Sequence, residues 1–551
     1  VFENVLSFNK QIQKHSINAM LGTSLNMIKY NWESVSVEGK TNVNEVINGQ
    51  LSTSDKPAGF LDPNFPTISG GVGGTYYGTG SYWEYNRVSF FGRINYNFND
   101  RYLFQFTFRE DGSSKFSSDN RWGFFPSVAV GWRISEEPFF PKNSVVSNLK
   151  FRASWGQLGN ENALGKYDFL TRIASYNDMY MGYVQGAGSN PWTGSIARTL
   201  ENLPLKWETT DTKNIGFDFG LFGNHLNGNV NYYLNETRDL LITRRIAPSA
   251  GLDNPTLNVG KMRNQGFELE LNWNDKISDF EYNVGFNIST IANKVVALAN
   301  EDQTIYGVGL KYGTEHFPTQ TKVGKPIGAF YLYQADGIFQ SLEEVQAHKN
   351  SKGELLQPNA QPGDVRFKDM NGDGVIDEDD KTYSGTGIAK VEANLNLGAS
   401  YKGFDFSAVI GSAFGNKIYN GIRYYYEGMN SASNFLKSTL NAWTPTNTKT
   451  DVPRAIYGDP NQNTRESTRF LENGDFVRLR QVQLGYTLPK ALSKQIYCDR
   501  IRFYVSAENV FTITGYSGAN PEFSQGVLNS GVDRFTYPFS RSYTVGAQVS
   551  F

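Results

Sequence analysis

Hydrophobic and polar residues alternate with a period of two along much of the chain. The apolar positions of one such segment are Phe267, Leu269, Leu271 and Trp273. The polar positions between them are Glu268, Glu270, Asn272 and Asn274. Because successive side chains of a β-strand point to opposite faces, this pattern predicts a strand with one apolar and one polar face.

Fifteen segments of this kind predict an all-β protein. Most are as long as the roughly 9–11 residues that a tilted strand needs to cross a bilayer, whereas a typical soluble strand has about 5–6. Apolar and polar residues also alternate along the strands of a soluble sandwich or propeller. The aromatic apolar faces and the charged mid-strand positions instead favour a transmembrane antiparallel β-barrel with a water-filled lumen. The predicted strands are 3–10, 14–30, 86–98, 101–110, 121–133, 147–157, 212–222, 227–243, 263–274, 280–293, 391–402, 403–415, 475–487, 499–513 and 541–551.

The connections between the predicted strands alternate between short and long. Outer-membrane barrels have short periplasmic turns and long extracellular loops, so we expect the long connections to be extracellular and Phe551 to lie in the periplasm. Two neighbouring connections, 111–120 and 134–146, do not follow this alternation, because their lengths are similar. The long connections are 31–85, 158–211, 294–390, 416–474 and 514–540.

The odd strand count predicts that the chain forms only part of a barrel. Single-chain bacterial barrels have an even number of strands, and an open sheet edge is not tolerated in lipid. The first residues resemble neither a translation start nor a signal peptide, which favours a fragment or a processed chain. Large plugged transporters have about 22 strands, so we expect the remaining strands upstream or on another chain. The strands that contain Val5–Asn9 and Phe551 would then pair with strands outside the predicted set.

Composition excludes several classes of function. A net charge of -2 leaves no basic surface for nucleic acid. The single cysteine, Cys498, cannot form an intrachain disulfide or a thiolate cluster, and the four scattered histidines argue against a zinc enzyme. No apolar run approaches the roughly 18 residues of a transmembrane helix. A glycosidase needs paired carboxyl groups in a shaped cleft, which nothing in the sequence defines, so we predict that the protein is not an enzyme.

Short motifs occur in order along nearly the whole chain. Examples are Arg109–Phe116, Arg121–Val128, Leu149–Asn160, Asn264–Leu269, Asp369–Gly374, Tyr401–Phe406, Phe476–Arg480, Leu484–Pro489, Glu508–Thr512 and Tyr537–Arg541. Together they resemble the SusC/RagA family of TonB-dependent outer-membrane transporters, over the C-terminal part of the barrel.

The resemblance implies import of a large nutrient, an oligosaccharide or a peptide, across the bacterial outer membrane. It implies a SusD-like surface lipoprotein as a lid, and coupling to TonB through a plug domain that we do not find in residues 1–551. A secreted carbohydrate-binding or adhesive β protein is the alternative interpretation. Partition with the outer membrane and a need for detergent would separate the two.

A 12-residue acidic segment in the 294–390 loop matches a calcium-binding loop. Its predicted ligands are Asp369, Asn371, Asp373, Val375 (through its carbonyl), Asp377 and Asp380. Gly374 supplies the sharp turn at the sixth position, and Ca²⁺ prefers six to eight oxygen ligands. Asp380 replaces the usual Glu at the twelfth position and has a shorter reach. The sequence predicts a structural Ca²⁺ here, and a solvated acidic turn is the alternative.

Four further groups of residues are candidates for ligand contact or for barrel structure. Asp111–Lys115 is expected to be a tight outer turn. Trp122, Trp132 and Trp155 are expected in the aromatic girdle rather than stacked on sugars. The groups that would line the lumen are Arg109, Glu268, Glu270 and Glu281. The aromatic loop stretches Gly71–Tyr77 and Arg423–Glu427 are candidates for contact with ligand or lid.

Overall fold

The structure is a computed structural model. It describes the chain except for residues 48–49, 58–73, 142–144, 177–193, 245, 300–303, 313 and 431–433.

Fifteen long strands form one antiparallel sheet, as the alternating pattern predicted. Each strand pairs with the next one along the chain, so the sheet is an uninterrupted meander. The strands are β1 (Phe2–Ile12), β2 (His15–Ile47), β3 (Gly74–Phe98), β4 (Tyr102–Ser113), β5 (Trp122–Arg133), β6 (Val146–Asn160), β7 (Glu208–Leu221), β8 (Leu226–Arg238), β9 (Lys261–Ile277), β10 (Phe280–Thr290), β11 (Val391–Tyr401), β12 (Phe404–Phe414), β13 (Phe476–Thr487), β14 (Arg500–Thr514) and β15 (Ser542–Ser550).

Two shorter strands extend this sheet at its ends. Gln50–Pro57 pairs with the far end of β2, and Ala292–Ala297 pairs with the start of β9. Within the described residues, β1 pairs only with β2 and β15 only with β14, and the two edge strands do not pair with each other. The sheet is therefore an open part of a β-barrel, and both edges are free to pair with further strands.

Three predicted boundaries were wrong. The 31–85 connection is largely strand, because the β2–β3 hairpin continues its pairing to Gly39 and Gly74, where polar residues pair as well as apolar ones. The predicted strand 227–243 ends at Arg238, because Asp239 takes a left-handed conformation with φ 55° and turns the chain away. The predicted strand 280–293 is interrupted after Thr290, and a separate strand starts at Ala292.

The long connections on the outer side of the sheet contain secondary structure of their own. The α-helices are Leu342–Ala347, Gly421–Tyr426 and, in a turn on the opposite side, Lys490–Gln495. Short 3-10 helices occur at Ser118–Asn120, Pro248–Ala250, Glu378–Asp380, Lys437–Asn441, Thr468–Phe470 and Val527–Asn529, and one at Ile134–Glu136 lies on the opposite side. The short strands are Ile173–Tyr176, Gly194–Ala197, Leu241–Thr243, Thr256–Asn258, Ile305–Tyr306, Leu310–Tyr312, Thr314–His316, Thr319–Thr321, Ala329–Leu332, Ala335–Ile338, Val365–Phe367, Thr382–Thr386, Lys417–Asn420, Leu471–Asn473 and Val532–Asp533. Among the described residues, no helix is long and apolar enough to span a membrane.

The largest cluster of buried apolar residues lies in these outer connections and not in the sheet. It consists of Leu310, Phe330, Leu332, Tyr419, Tyr424, Phe470 and Val532. These residues come from three connections, 291–390, 415–475 and 515–541, which therefore pack into one body. A body with its own apolar core holds side chains in fixed positions.

Candidate functional site

The two faces of the long sheet differ in chemistry. One face exposes a row of apolar side chains that follows the strand pairing: Phe104 pairs with Val130, and Ile215 with Tyr232, which pairs in turn with Phe267. Phe104, Val130, Ile215 and Phe267 are all exposed. An apolar face of this extent is the face that a barrel turns towards lipid.

Tryptophans lie at both ends of this apolar face. Trp132 pairs with Tyr102 next to the short turn, and Trp122 pairs with Gly112 at the other end of β5. Trp155 lies on the same face, opposite Val128. Trp122 and Trp132 occupy the positions expected of girdle residues, whereas Trp155 lies near the middle of the face. All three face away from the lumen, where a sugar would stack.

The opposite face is polar and carries a hydrogen-bonded network. Arg152 Nε donates to Asp218 Oδ1 at 2.7 Å, and its Nη2 donates to Asn231 Oδ1 at 2.9 Å. Asn231 pairs with Glu268, so Glu268 shares this face. Asn229 Nδ2 donates to Glu270 Oε2 at 2.9 Å. Polar rows of this kind form the wall of a water-filled lumen.

The two other predicted lumen residues also point to this face. Arg109 Nε donates to Asp111 Oδ2 at 2.7 Å, and its guanidinium lies 5.6 Å from the ring centroid of Phe91. Glu281 pairs with Lys276 near the short-turn end of the sheet, and their charged atoms are 2.5 Å apart. All four predicted residues therefore belong to the lumen wall.

A pocket of about 860 Å³ lies where the 291–390 and 415–475 connections meet. Its aromatic lining includes Tyr306, Phe317 and Tyr333. Its charged lining includes His316, Glu378, Lys381, Arg465 and Glu466. Pockets with a few fixed polar groups and an aromatic wall are the usual form of ligand sites.

Glu466 is the centre of the polar wall of this pocket. Its carboxylate is hydrogen-bonded to His316 Nδ1, and Lys381 Nζ donates to its Oε1 at 2.6 Å. Burial alone would raise the pKa of Glu466, but the hydrogen bond with His316 and the charge of Lys381 outweigh burial and lower it to about 2. Glu466 is therefore held as a buried anion at neutral pH.

Two neighbouring groups complete the wall. Glu378 accepts hydrogen bonds from Lys381 Nζ at 2.6 Å and from the hydroxyl of Tyr333 at 3.2 Å. The guanidinium of Arg465 lies between two rings, 4.8 Å from the centroid of Tyr333 and 4.7 Å from that of Phe367. These contacts keep the basic side chains of the wall in place.

The predicted calcium-type loop contains Glu378, whose side chain lines this pocket, so the loop lies next to the pocket. The carboxylate of Asp369 accepts from the backbone N–H groups of Gly372 and Gly374, at 2.6 and 2.9 Å. Asp380 is fully buried and accepts from the N–H groups of Met370 and Asp377.

The other predicted ligands of the loop make similar contacts. Asp373, Asn371 and Asp377 each accept from the N–H two residues further on. Val375 is exposed. The six predicted ligands thus belong to one compact loop whose carboxylates are turned to its own backbone. Among the residues that the structure describes, no group of three or more His, Cys, Asp and Glu side chains takes a metal-holding arrangement.

One of the remaining predictions needs correction. Asp111–Lys115 is not a simple turn: β4 runs to Ser113, whose hydroxyl contacts the buried Glu161, and Lys115 Nζ donates to the Glu161 carbonyl at 3.0 Å. In the stretch Arg423–Glu427, Tyr424 is buried in the outer apolar cluster and packs the loops together, whereas Tyr426 is exposed. Contact of this stretch with ligand or lid stays a prediction. Of the stretch Gly71–Tyr77, residues 71–73 lie outside the described residues, and residues 74–77 form the start of β3.

Sequence patterns did not indicate the residues of the pocket. His316 and Glu466 are 150 positions apart, and Lys381 and Glu466 are 85 apart. No local spacing links residues at such distances. A buried carboxylate in a loop is itself a signal of a partner, but burial is known only once the loops have packed.

The apolar outer face, the polar lumen face and the folded loops define the chain as an outer-membrane β-barrel protein. Residues 6–510 match the model of the family described as TonB dependent receptor-like, beta-barrel. The chain belongs to that family, and within it to the SusC/RagA type.

Relatives and solved structures agree with this assignment. TonB-dependent receptor SusC of Bacteroides thetaiotaomicron is 31% identical over 474 residues, which cover 84% of this chain and 44% of the relative. TonB-dependent receptor P3 of Formosa agariphila is 29% identical over 558 residues, covering 100% of this chain and 52% of the relative. The structure of the RagAB peptide transporter is similar with a TM-score of 0.78 and 26% identity, over 100% of this chain and 55% of that one. The chain spans about half the length of the proteins that it matches.

Proposed function

We propose that this chain is the barrel part of an importer of large nutrients, oligosaccharides or peptides, across the outer membrane. A SusD-like lipoprotein on the cell surface delivers ligand and acts as a lid. A plug domain, in the part of the protein beyond these residues, blocks the lumen and is displaced by TonB.

The observation that carries this proposal is the body of packed outer loops at one end of a polar lumen face. Loops with their own apolar core keep a pocket of constant shape, which selective binding requires. Arg478 ties one of these loops to the barrel, because its Nη1 donates to Glu522 Oε2 at 2.8 Å and its Nη2 to Asn520 Oδ1 at 2.5 Å. Ligand bound among the loops is therefore close to the polar wall along which it must pass.

The proposal needs no catalytic step. Transport requires selective binding and a gate, and the polar groups described above are engaged in hydrogen bonds that stabilise structure. The exposed apolar face and the family assignment favour the importer over a secreted carbohydrate-binding or adhesive protein, since a secreted protein has no use for a lipid-facing surface.

Uptake by intact cells tests the proposal. Cells that lack this protein should lose uptake of a labelled oligosaccharide or peptide that wild-type cells import. Deletion of tonB, or of the SusD-like lipoprotein, should have the same effect. Uptake that continues at the wild-type rate in the tonB deletion would contradict TonB-dependent import.

We also propose that the loop 369–380 binds a structural Ca²⁺. Two observations support it: the oxygens follow the spacing of a calcium loop, and among the described residues no ion pair joins its aspartates to a basic side chain, although the neighbouring Glu378 has Lys381. A carboxylate oxygen that accepts one N–H keeps a further lone pair for a cation. The ion would stiffen the segment that carries Glu378 into the pocket wall.

A further inference from the structure

The turn between β13 and β14 carries a helix, unlike most turns at the same end of the sheet. It spans residues 488–499 and contains the helix Lys490–Gln495. The turns after β1, β9 and β11 leave only residues 13–14, 278–279 and 402–403 between their strands. Two residues are enough to connect neighbouring antiparallel strands. The helix is therefore not needed to reverse the chain at this end, which is the periplasmic end of an outer-membrane barrel.

The helix lies on the lipid-facing side of the sheet and not in the lumen. Phe503 and Val505 continue the exposed apolar face into β14, and Phe503 is 52% exposed. Ile501 is on the same face, two residues earlier, but is only 6% exposed. The helix packs against β14, and Ser493 within it is fully buried. Since the residue that becomes covered belongs to the apolar face, the helix covers that face.

Three apolar or aromatic side chains of this turn remain exposed. Leu492 and Ile496 are four residues apart, so they share one side of the helix. Tyr497 follows them and is 92% exposed. Interfacial helices place such residues at the boundary between lipid headgroups and acyl chains, where tyrosine is enriched. The apolar side of the helix therefore continues the lipid-facing surface of the sheet towards the periplasm.

Basic side chains surround these apolar residues. Lys490 and Lys494 are one helical turn apart, and both are exposed. Arg500 follows the turn, and Lys402 lies in the adjacent turn after β11, which is hydrogen-bonded to the end of β13. Asp499 is the single acidic residue within 402–403 and 488–500. The two turns together therefore carry a net positive charge.

These four basic side chains differ from other basic residues at this end of the sheet. Arg101 is 3.5 Å from Glu137, and Lys276 is 2.5 Å from Glu281. Among the described residues, no ion pair joins any of the four to a carboxylate, and Arg500 reaches only the Thr487 hydroxyl, at 3.5 Å. Positive charge without a protein partner, next to a lipid-facing surface, is complementary to the phosphates of anionic lipids.

We propose that the turn 488–499 binds anionic phospholipid in the inner leaflet of the outer membrane. Lys490 and Lys494 contact the lipid phosphates, and Leu492, Ile496 and Tyr497 lie at the upper ends of the acyl chains. A periplasmic protein is another class of partner for an exposed surface, but a surface that continues the lipid-facing side contacts lipid wherever the barrel is inserted. The site fixes the depth of the periplasmic rim and is independent of the ligand that the barrel imports.

Native mass spectrometry of the purified full-length transporter with its partner lipoprotein tests the site. In detergent, phosphatidylglycerol should bind at lower concentration than phosphatidylethanolamine. Lys494→Gln should weaken phosphatidylglycerol binding by about fivefold, and the double variant Lys490→Gln, Lys494→Gln by about 30-fold, because each lysine near an anionic headgroup contributes separately. The double variant Lys490→Arg, Lys494→Arg keeps both charges and should bind like wild type.

Lys276→Gln is the matched control, because Lys276 is at the same end of the sheet but is paired with Glu281 on the lumen face. It should leave lipid binding unchanged. The inference is overturned if wild type binds the two lipids equally, or if Lys276→Gln and the double glutamine variant bind phosphatidylglycerol alike.

A photoreactive phenylalanine analogue in place of Tyr497 identifies the partner in intact cells. Crosslinks to phospholipid are expected, because the ring lies at the headgroup level. Crosslinks to a periplasmic protein without any to lipid would assign the surface to a protein and would also overturn the inference.

Discussion

The ammonium nitrogen of Lys381 lies 2.6 Å from Glu466 Oε1, and both side chains are almost completely buried. This ion pair joins two outer connections that are separated by β11 and β12 in the sequence. A buried charge with its partner removed is costly, whereas the intact pair is close to neutral in free energy. The pair therefore specifies how the two loops fit together more than it stabilises either of them.

Glu466→Gln should destabilise the contact between these loops. It removes the buried anionic partner of Lys381 and leaves only Glu378, whose side chain is exposed. We therefore expect a loss of about 3 kcal/mol in the free energy of local opening, the lower end of the range for a broken buried pair. Hydrogen exchange of the backbone amides in residues 314–333 and 464–470 measures that opening.

Glu378→Gln is the matched control, because Glu378 is also 2.6 Å from Lys381 Nζ but its side chain is 73% exposed. An exposed pair contributes at most about 1 kcal/mol. Equal exchange in the two variants would show that burial of Glu466 does not matter.

Acid should loosen the same contact in a defined range of pH. The pKa of Glu466 is lowered in the fold from its ordinary 4.5 to about 2. A carboxyl group with a lowered pKa contributes stability that is complete above its unfolded pKa and is lost as pH falls through its folded pKa. Protease cleavage in these loops should therefore increase between about pH 4.5 and pH 2 in wild type. In Glu466→Gln this part of the acid response should be absent, and an unchanged acid response would assign it to other groups.

Removal of calcium should lower the thermal stability of the wild-type complex through the loop 369–380. The double variant Asp369→Ala, Asp373→Ala loses two ligands and should no longer respond to chelator. Asp379→Ala is the control, because it removes an acidic residue from the same loop at a position that is not a predicted ligand. Melting temperatures with and without chelator measure the effect. Identical responses of wild type and double variant would refute the site.

The two faces of β7 should differ in their tolerance of charge. Ile215 lies on the exposed apolar face, and a charged residue near the middle of the bilayer costs about 2–4 kcal/mol. Ile215→Arg should therefore reduce the amount of protein assembled in the outer membrane. Asn214→Arg places the same side chain on the neighbouring position of the lumen face and should assemble normally. Heat-modifiable migration of membrane fractions measures assembly, and equal loss in both variants would contradict the assignment of faces.

The pattern of the sequence was sufficient for the sheet because strand pairing in a meander is local. Each of the fifteen strands pairs with its neighbour in sequence, so alternation and turn positions determine both the strands and their order. The lumen positions of Glu268 and Glu270 and the outward-facing positions of the tryptophans follow from the same period of two. The extension of β2 to Ile47 was missed because a strand outside the bilayer needs no apolar face. The end of β8 at Arg238 was missed because a single residue in the left-handed conformation, Asp239, ends the strand.

The outer loops show what the sequence by itself did not determine. From the sequence alone, the barrel, its two faces, its family and the acidic loop 369–380 could be recognised, since each depends on residues close together in the chain. The apolar body of the loops, the buried pair Lys381–Glu466 and the Tyr306 pocket depend on contacts between segments far apart in sequence. Such contacts are selected by packing and burial, which exist only in the folded chain, so the tertiary structure alone decided where the candidate ligand site lies.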